Sequence, residues 1–279
     1  MKFETLSPCK LNLFLYITGR RPDGYHNLQT LFVILNYGDR MYFETTEDDR
    51  IELLTDFGFD YKRNLIYRAA MLLKERYHPS CGVRISIDKT LPQGGGLGGG
   101  SANAATTLLV LNRLWGLNLD EDTLISLGYS LGADVPVFIK GTSCFAEGIG
   151  EILTPVELPL RYYLVATPDC SVPTKELFAS QALKKDYPVR TYEELLKVPF
   201  ENCFTPVVIR EYPEVLKLLK ALSAFGTAYM SGSGSSCFVA FEDEISARKA
   251  QKEINKLNIR NFIARSVNKS QIFYDLKKI

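Results

Sequence analysis

The sequence predicts an α+β protein in two parts, and three observations carry that prediction. Residues 83–88 alternate apolar and polar side chains as a strand does, a glycine run follows, and residues 101–115 are rich in Ala and Leu as a helix is. Alternating and helical stretches recur on both sides of this unit without an internal repeat, so strands and helices are mixed throughout. Between them, Pro155-Val156-Glu157-Leu158-Pro159 breaks the pattern and sets a boundary between residues 1–157 and 158–279.

In chain order, residues 9–17 read as a strand with apolar positions at 11, 13, 15 and 17, which leaves Lys10 and Asn12 together on the other face. Such a lysine is either a solvated surface charge or, with Asn12 beside it, part of a polar site. Pro22-Asp23-Gly24 is a turn signal. It presents Tyr25 and His26 at a loop tip, either as an apolar cap and an exposed ring or as a surface that recognises a planar base. Residues 31–36 and 41–45 read as strands joined by a turn at Tyr37-Gly38-Asp39-Arg40, and 51–54 as an edge strand. Residues 64–77 form an amphipathic helix for which Asn64 serves as N-cap.

The chain is organised around Leu91-Pro92-Gln93-Gly94-Gly95-Gly96-Leu97-Gly98-Gly99-Gly100-Ser101-Ala102. So bare a backbone takes positive φ repeatedly and lets a ligand approach its N–H groups. It lies between a strand and the start of an apolar helix, for which Ser101 supplies a cap, and this arrangement is an anion site. A phosphate is the inferred occupant. A Walker loop is excluded because no Lys follows the glycines. The dinucleotide fingerprint is met by Gly94, Gly96 and Gly99, but in such a run the match is nearly automatic, and Asp120, Glu121 and Asp122 open a helix (122–131) rather than end a strand. What remains is Pro92 … Gly96-Leu97-Gly98-Gly99-Gly100-Ser101.

Further on, Asp134 stands in the apolar setting Gly132-Ala133-Asp134-Val135-Pro136. It is either the cap of a short turn or a carboxylate in need of a partner, and Lys10 needs a reason; each would answer the other. Residues 141–146 and 151–153 close the first part with strands. Beyond the boundary, strands are expected at 162–166, 236–241 and 261–266, and helices from 174, over 207–222 and over 244–257. Met230-Ser231-Gly232-Ser233-Gly234-Ser235-Ser236 is a second Gly/Ser loop, either a plain hairpin connection or another donor to phosphate.

Composition narrows the function. At 279 residues, 46% hydrophobic and 23% charged, the chain has the balance of a soluble globular protein. A net charge of +1 gives no footprint for nucleic acid or an anionic membrane, and no apolar run is long enough to span a bilayer. No signal peptide is visible at Met1-Lys2-Phe3-Glu4-Thr5. The six scattered cysteines therefore read as reduced thiols of a cytoplasmic protein, and two histidines make a zinc site improbable.

These motifs resemble the GHMP kinase superfamily and, within it, the 4-diphosphocytidyl-2-C-methyl-D-erythritol kinase family. The glycine loop points to the superfamily. Pro8-Cys9-Lys10-Leu11-Asn12 and Asp23-Gly24-Tyr25-His26 narrow it, with Gly132–Val137, Phe145–Glu151 and Ser231–Ser236 following in the family's order. The resemblance implies a ribosomal-protein-like N-terminal domain, a ferredoxin-like C-terminal domain and ATP-dependent phosphorylation of a 2-hydroxyl. It makes Asp134 the catalytic base and Lys10 its partner. Asn12 holds the substrate, Tyr25 and Phe178 sandwich its cytosine, and His26 bonds the base edge. Asn64 and Lys89 lie near adenine, Pro92–Ala102 wrap the ATP phosphates, and Thr174 is a weaker match. The implied ligands are ATP with Mg²⁺ and a small molecule carrying cytidine diphosphate; monomer and homodimer both stay open. One departure is Ser101-Ala102 where many members have Ser-Ser, so no protein ligand for Mg²⁺ is assigned. Alternatives are another small-molecule kinase of the homoserine or mevalonate type, a non-catalytic nucleotide- or RNA-binding module, and an NAD-binding oxidoreductase.

Overall fold

The computed structural model describes residues 1–279. It begins with a hairpin of two long antiparallel strands, β1 (Lys2–Arg20) and β2 (His26–Thr46). There follow β3 (Ile51–Leu53), α1 (Leu65–Tyr77), β4 (Gly82–Asp88), α2 (Gly99–Leu114), α3 (Glu121–Leu131), α4 (Val135–Lys140), β5 (Cys144–Glu147) and β6 (Ile152–Pro155). The sheet order is β3-β4-β2-β5-β6 with β1 also on β2. Its spine is β2, which pairs with β4 through its second half and with β5 through its first.

The turn expected at residues 37–40 is therefore absent, and β2 runs straight through it. The reason is a long-range contact that overrides a local signal. Gly38 lies flat against β1, where a Cβ would stand 1.9 Å from the Ser7 carbonyl oxygen, and the register slips between Pro8 and Lys10. The glycine serves the close approach of two strands rather than a reversal.

Asn64 caps α1 as expected, its side chain accepting the Ile66 N–H at 2.9 Å, a contact that contributes about 1 kcal/mol. The α2 helix is buried almost all round and begins earlier than predicted. Gly98 is its cap, in the left-handed region at φ 73°, and no side chain caps it, so Ser101 lies inside the first turn. Helices α1 to α4 pack on the sheet around Phe32, Ile34, Phe43 and Ile85. Each such fully buried side chain is worth about 1.5–3 kcal/mol.

The second half contains β7 (Tyr162–Thr167), α5 (Thr174–Ala179), α6 (Tyr192–Leu195), α7 (Thr205–Glu211), α8 (Pro213–Leu222), β8 (Ala228–Met230), β9 (Cys237–Phe241), α9 (Glu244–Asn255) and β10 (Arg260–Arg265). Its antiparallel sheet has the order β10-β7-β9-β8, the ferredoxin-like arrangement in which the last strand flanks the first. The single helix expected over 207–222 is two, because Pro213 has no N–H to continue the ladder. Leu11, Val33 and Leu35 of the first sheet meet Tyr163, Val165 and Phe262 of the second in one apolar cluster.

The chain then returns to the first half. The Val267 N–H donates to the Ile34 carbonyl at 3.0 Å and the Ser270 N–H to the Gly141 carbonyl at 2.8 Å. A last short helix, α10 (Ile272–Asp275), buries Ile272 in the first core and takes a 2.9 Å hydrogen bond from Thr5. No helix is long and apolar enough to cross a membrane.

Candidate active site

Positions two apart on β1 place Lys10 and Asn12 side by side, as the alternation predicts. Lys10 is 3% exposed. Its ammonium donates to Asn12 Oδ1 at 2.5 Å and to the Gly96 carbonyl at 3.1 Å, and lies 3.4 Å from Asp134 Oδ2. Three oxygens thus match its three N–H bonds. Asn12 is fixed in turn, its Nδ2 donating to Thr30 Oγ1 at 2.8 Å, which donates to the Phe14 carbonyl at 2.6 Å. Asp134 stands at the start of α4 but its side chain makes no capping hydrogen bond. Of the two readings open for it, the ion pair is the one realised. Its carboxylate is 37% exposed and faces a cleft.

The glycine loop crosses beside this pair. Gly94, Gly96 and Gly98 all have φ near +70°. At Gly96 a Cβ would lie 2.1 Å from the Ser231 carbonyl oxygen, and at Gly98 it would meet the Phe138 ring at 2.8 Å. Both positions need glycine for space as well as for φ. The first helical bond of α2 runs from the Ala102 N–H to the Gly98 carbonyl at 2.8 Å. The N–H groups of Gly99, Gly100 and Ser101 precede it and point out of the helix end. Ala102 is itself fully buried in the core behind.

The second Gly/Ser loop connects β8 and β9 as a hairpin, the first of the two readings open for it. Ser231 and Ser236 face the first loop, whereas Ser233 meets Thr174 and Ser235 donates to the Cys170 carbonyl. Ser231 Oγ accepts from the Asn12 N–H at 3.2 Å and donates to the Gly96 carbonyl at 2.9 Å, and the Ser236 N–H donates to the Gly95 carbonyl at 3.2 Å. Asn202, whose significance nothing in the local sequence betrays, braces this hairpin by donating to the Met230 and Gly232 carbonyls, both at 2.8 Å.

The glycine loop separates two concavities. One, of about 360 Å³, is lined by Pro92 to Ser101 together with Phe57, Phe59, Asn64 and Lys89. The other, of about 340 Å³, is lined by Lys10, Asn12, Asp134, Thr174 and Phe178 among others. Gly94, Gly96 and Gly98 belong to both walls. Thr174 meets Ser233 at 2.7 Å across the second cavity. His26 stacks on Phe178 with ring centroids 5.2 Å apart, and burial, then Lys185 and Arg20, push its pKa down. Tyr25 is exposed and lines neither cavity. Lys89 is engaged by Asp39, a wholly buried carboxylate that sequence reasoning placed in a turn and passed over. No three His, Cys, Asp or Glu side chains converge as a metal cage.

Comparison with known proteins agrees over the whole length. The pattern described as GHMP kinases N terminal domain matches residues 64–142, and that described as GHMP kinases C terminal matches residues 180–260. A Pseudomonas paraeruginosa protein named 4-diphosphocytidyl-2-C-methyl-D-erythritol kinase is 46% identical over 98% of this chain and 97% of its own length. One of the same name from Hahella chejuensis is 44% identical over 100% of this chain and 99% of its own. The crystal structure of a 4-(cytidine 5'-diphospho)-2C-methyl-D-erythritol kinase superposes with a TM-score of 0.84 at 35% identity, covering 95% of this chain and 99% of that one.

Proposed function

This chain belongs to the 4-diphosphocytidyl-2-C-methyl-D-erythritol kinase family of GHMP kinases, and from that premise we propose that it transfers the γ-phosphoryl group of ATP to the 2-hydroxyl of 4-diphosphocytidyl-2-C-methyl-D-erythritol, in the non-mevalonate route to isoprenoid precursors. The observation that carries the reading is the Lys10–Asp134 pair, 3.4 Å apart and beside Gly96 and Gly98.

Phosphoryl transfer asks little covalent chemistry of the protein; positioning and charge stabilisation do most of the work. The N–H groups of Gly99, Gly100 and Ser101 receive the ATP phosphates, with the helix dipole behind them. Asn64 and Lys89, which line that pocket, are assigned to the adenine. The acceptor enters the second cavity. Asp134 takes the proton of its hydroxyl as the oxygen–phosphorus bond forms, and the Lys10 ammonium offsets the charge that develops. Asn12 holds the methylerythritol unit, Thr174 lines its path, and Tyr25, His26 and Phe178 receive the cytosine. His26 stacks on Phe178 in the chain alone, so a sandwich of the cytosine between Tyr25 and Phe178, with His26 at the base edge, requires the His26 ring to turn aside.

Magnesium, when bound, neutralises the β- and γ-phosphates. Ser101 offers the only hydroxyl between Leu91 and Ala102, and no cluster of His, Cys, Asp or Glu stands there to hold the ion. An ion held chiefly by nucleotide phosphates fits a site so poor in carboxylates. We place the protein in the cytoplasm, where its six free thiols stay reduced.

The test is ATP-to-ADP turnover with Mg²⁺, with and without the acceptor. Turnover that requires this acceptor and is not matched by homoserine, galactose or mevalonate is expected. Equal turnover with one of those, or ATP binding without acceptor-dependent turnover, overturns the substrate assignment.

A further inference from the structure

Asp39 is wholly buried, and every group around its carboxylate is a donor. Oδ1 accepts from the backbone N–H groups of Thr90 and Leu91, both at 2.9 Å. Oδ2 accepts from Asn103 Nδ2 at 3.0 Å and from the ammonium of Lys89. The four donors belong to three segments: the residue after β4, the entry to the glycine loop, and the second turn of α2. One carboxylate therefore ties together the parts that frame the first pocket.

An amide could not replace it. Asn offers one acceptor oxygen, so its NH₂ would face either the two backbone N–H groups or the Asn103 and Lys89 donors. A buried charge also needs a counter-charge, and Lys89 is that partner. Position makes the pairing matter further. Asp39 Oδ2 lies 3.8 Å from where a Cβ on Gly99 would stand, beneath the first turn of α2. A carboxylate there competes with a phosphate for the positive helix end and repels it unless its charge is cancelled. Lys89 cancels it while lining the pocket itself.

We infer that Asp39 is a positioning residue for phosphoryl transfer: it fixes Thr90 and Leu91 against α2, so setting the direction in which the loop N–H groups face, while Lys89 masks its charge from the phosphates. The inference rests on the phosphate reading of the first pocket.

Three full-length variants test it: Asp39→Asn, Lys89→Met and the double substitution. For each, kcat comes from acceptor-dependent turnover and the ATP dissociation constant from titration calorimetry. Asp39→Asn is expected to lower kcat about tenfold or more, because the loop is no longer aimed, while ATP affinity holds because loss of a nearby negative charge offsets the poorer alignment of the N–H groups. Lys89→Met is expected to weaken ATP about tenfold, since it leaves Asp39 unmasked. The double variant should bind ATP more tightly than Lys89→Met, yet keep the low kcat of Asp39→Asn. A kcat within about threefold of the parent in Asp39→Asn, or ATP affinity falling along with it, overturns the inference. So does a double variant that binds ATP no better than Lys89→Met. That last comparison needs neither the Asp39→Asn single variant to fold nor the acceptor to be the one proposed. A wild-type chain that binds ATP without acceptor-dependent turnover refutes the substrate reading alone.

Discussion

The two cavities on either side of the glycine loop are nearly equal in size, about 360 and 340 Å³, and opposite in construction. The first is mostly backbone: a run of glycines and the unpaired end of α2, with Asn64 and Lys89 occupied by a helix cap and an ion pair. The second is side chains: Lys10, Asn12 and Asp134, each fixed by named partners or aimed at the cleft. Under the function proposed above, the difference follows from what each must recognise. A phosphate needs N–H groups and a positive potential, which a main chain provides without regard to sequence. An alcohol to be activated needs a base and a cation at chosen atoms, which only side chains provide.

The largest effect should come from breaking one side only. Asp134→Asn is expected to cut turnover by at least about a hundredfold while ATP binding, followed by calorimetry, stays as in the parent. Near-normal turnover would remove Asp134 from the mechanism. The shared wall is the next point to break. Gly96→Ala puts a Cβ 2.1 Å from the Ser231 carbonyl oxygen at a φ of +74°. It should lower stability by about 1–3 kcal/mol in urea unfolding and weaken ATP and acceptor together. Weakening of one ligand alone would show that the cavities do not share that wall in function.

A smaller change should sharpen the acceptor side. Tyr25→Ala is expected to raise KM for the cytidine substrate by about threefold to tenfold, with KM for ATP unmoved. An unchanged acceptor KM would take Tyr25 out of base recognition. The smallest effect concerns His26, whose pKa is held below the ordinary value, first by burial and then by Lys185 and Arg20. The folded state therefore resists protonation more than the unfolded chain. The stability His26 contributes is present above the unfolded pKa and lost as pH falls through the folded one. Thermal unfolding of the parent and of His26→Gln, followed from pH 7 down to pH 5, should converge as the pH drops; parallel curves would exclude this group.

Much of the site was legible. A glycine run before an apolar helix stands out by itself, whereas the lysine beside Asn12 and the acid among Ala, Val and Pro each had a local explanation, as a surface charge and a turn cap, and were singled out by the family resemblance. The structure supplies a common one for Lys10 and Asp134 by bringing them together. Asp39 was illegible. Beside Gly38 it had a sufficient local explanation as a turn, and the contacts that overrule it, Ser7 against Gly38 and Thr90 and Leu91 on its carboxylate, come from distant parts of the chain. Asn202 and the returning segment after β10 escaped notice likewise, since their partners lie far off in sequence. Local pattern also merged α7 and α8, although Pro213 was there to separate them.

The return of the chain has a mechanical consequence. The polypeptide passes from the first half to the second before β7 and comes back after β10, where Val267 and Ser270 are bonded to Ile34 and Gly141. Two covalent links, rather than one, therefore join the halves, in addition to the apolar cluster of Leu11, Val33, Tyr163 and Phe262 between them. The first cavity is lined only by residues from Phe57 to Asn103, although its glycine loop is also held by Ser231 and Ser236 of the second half. The second cavity takes Lys10 and Asp134 from one half and Thr174, Phe178 and Ser233 from the other, so its shape depends on how the halves are joined. The first cavity thus belongs to one half of the chain, while the second is completed only where the two halves meet.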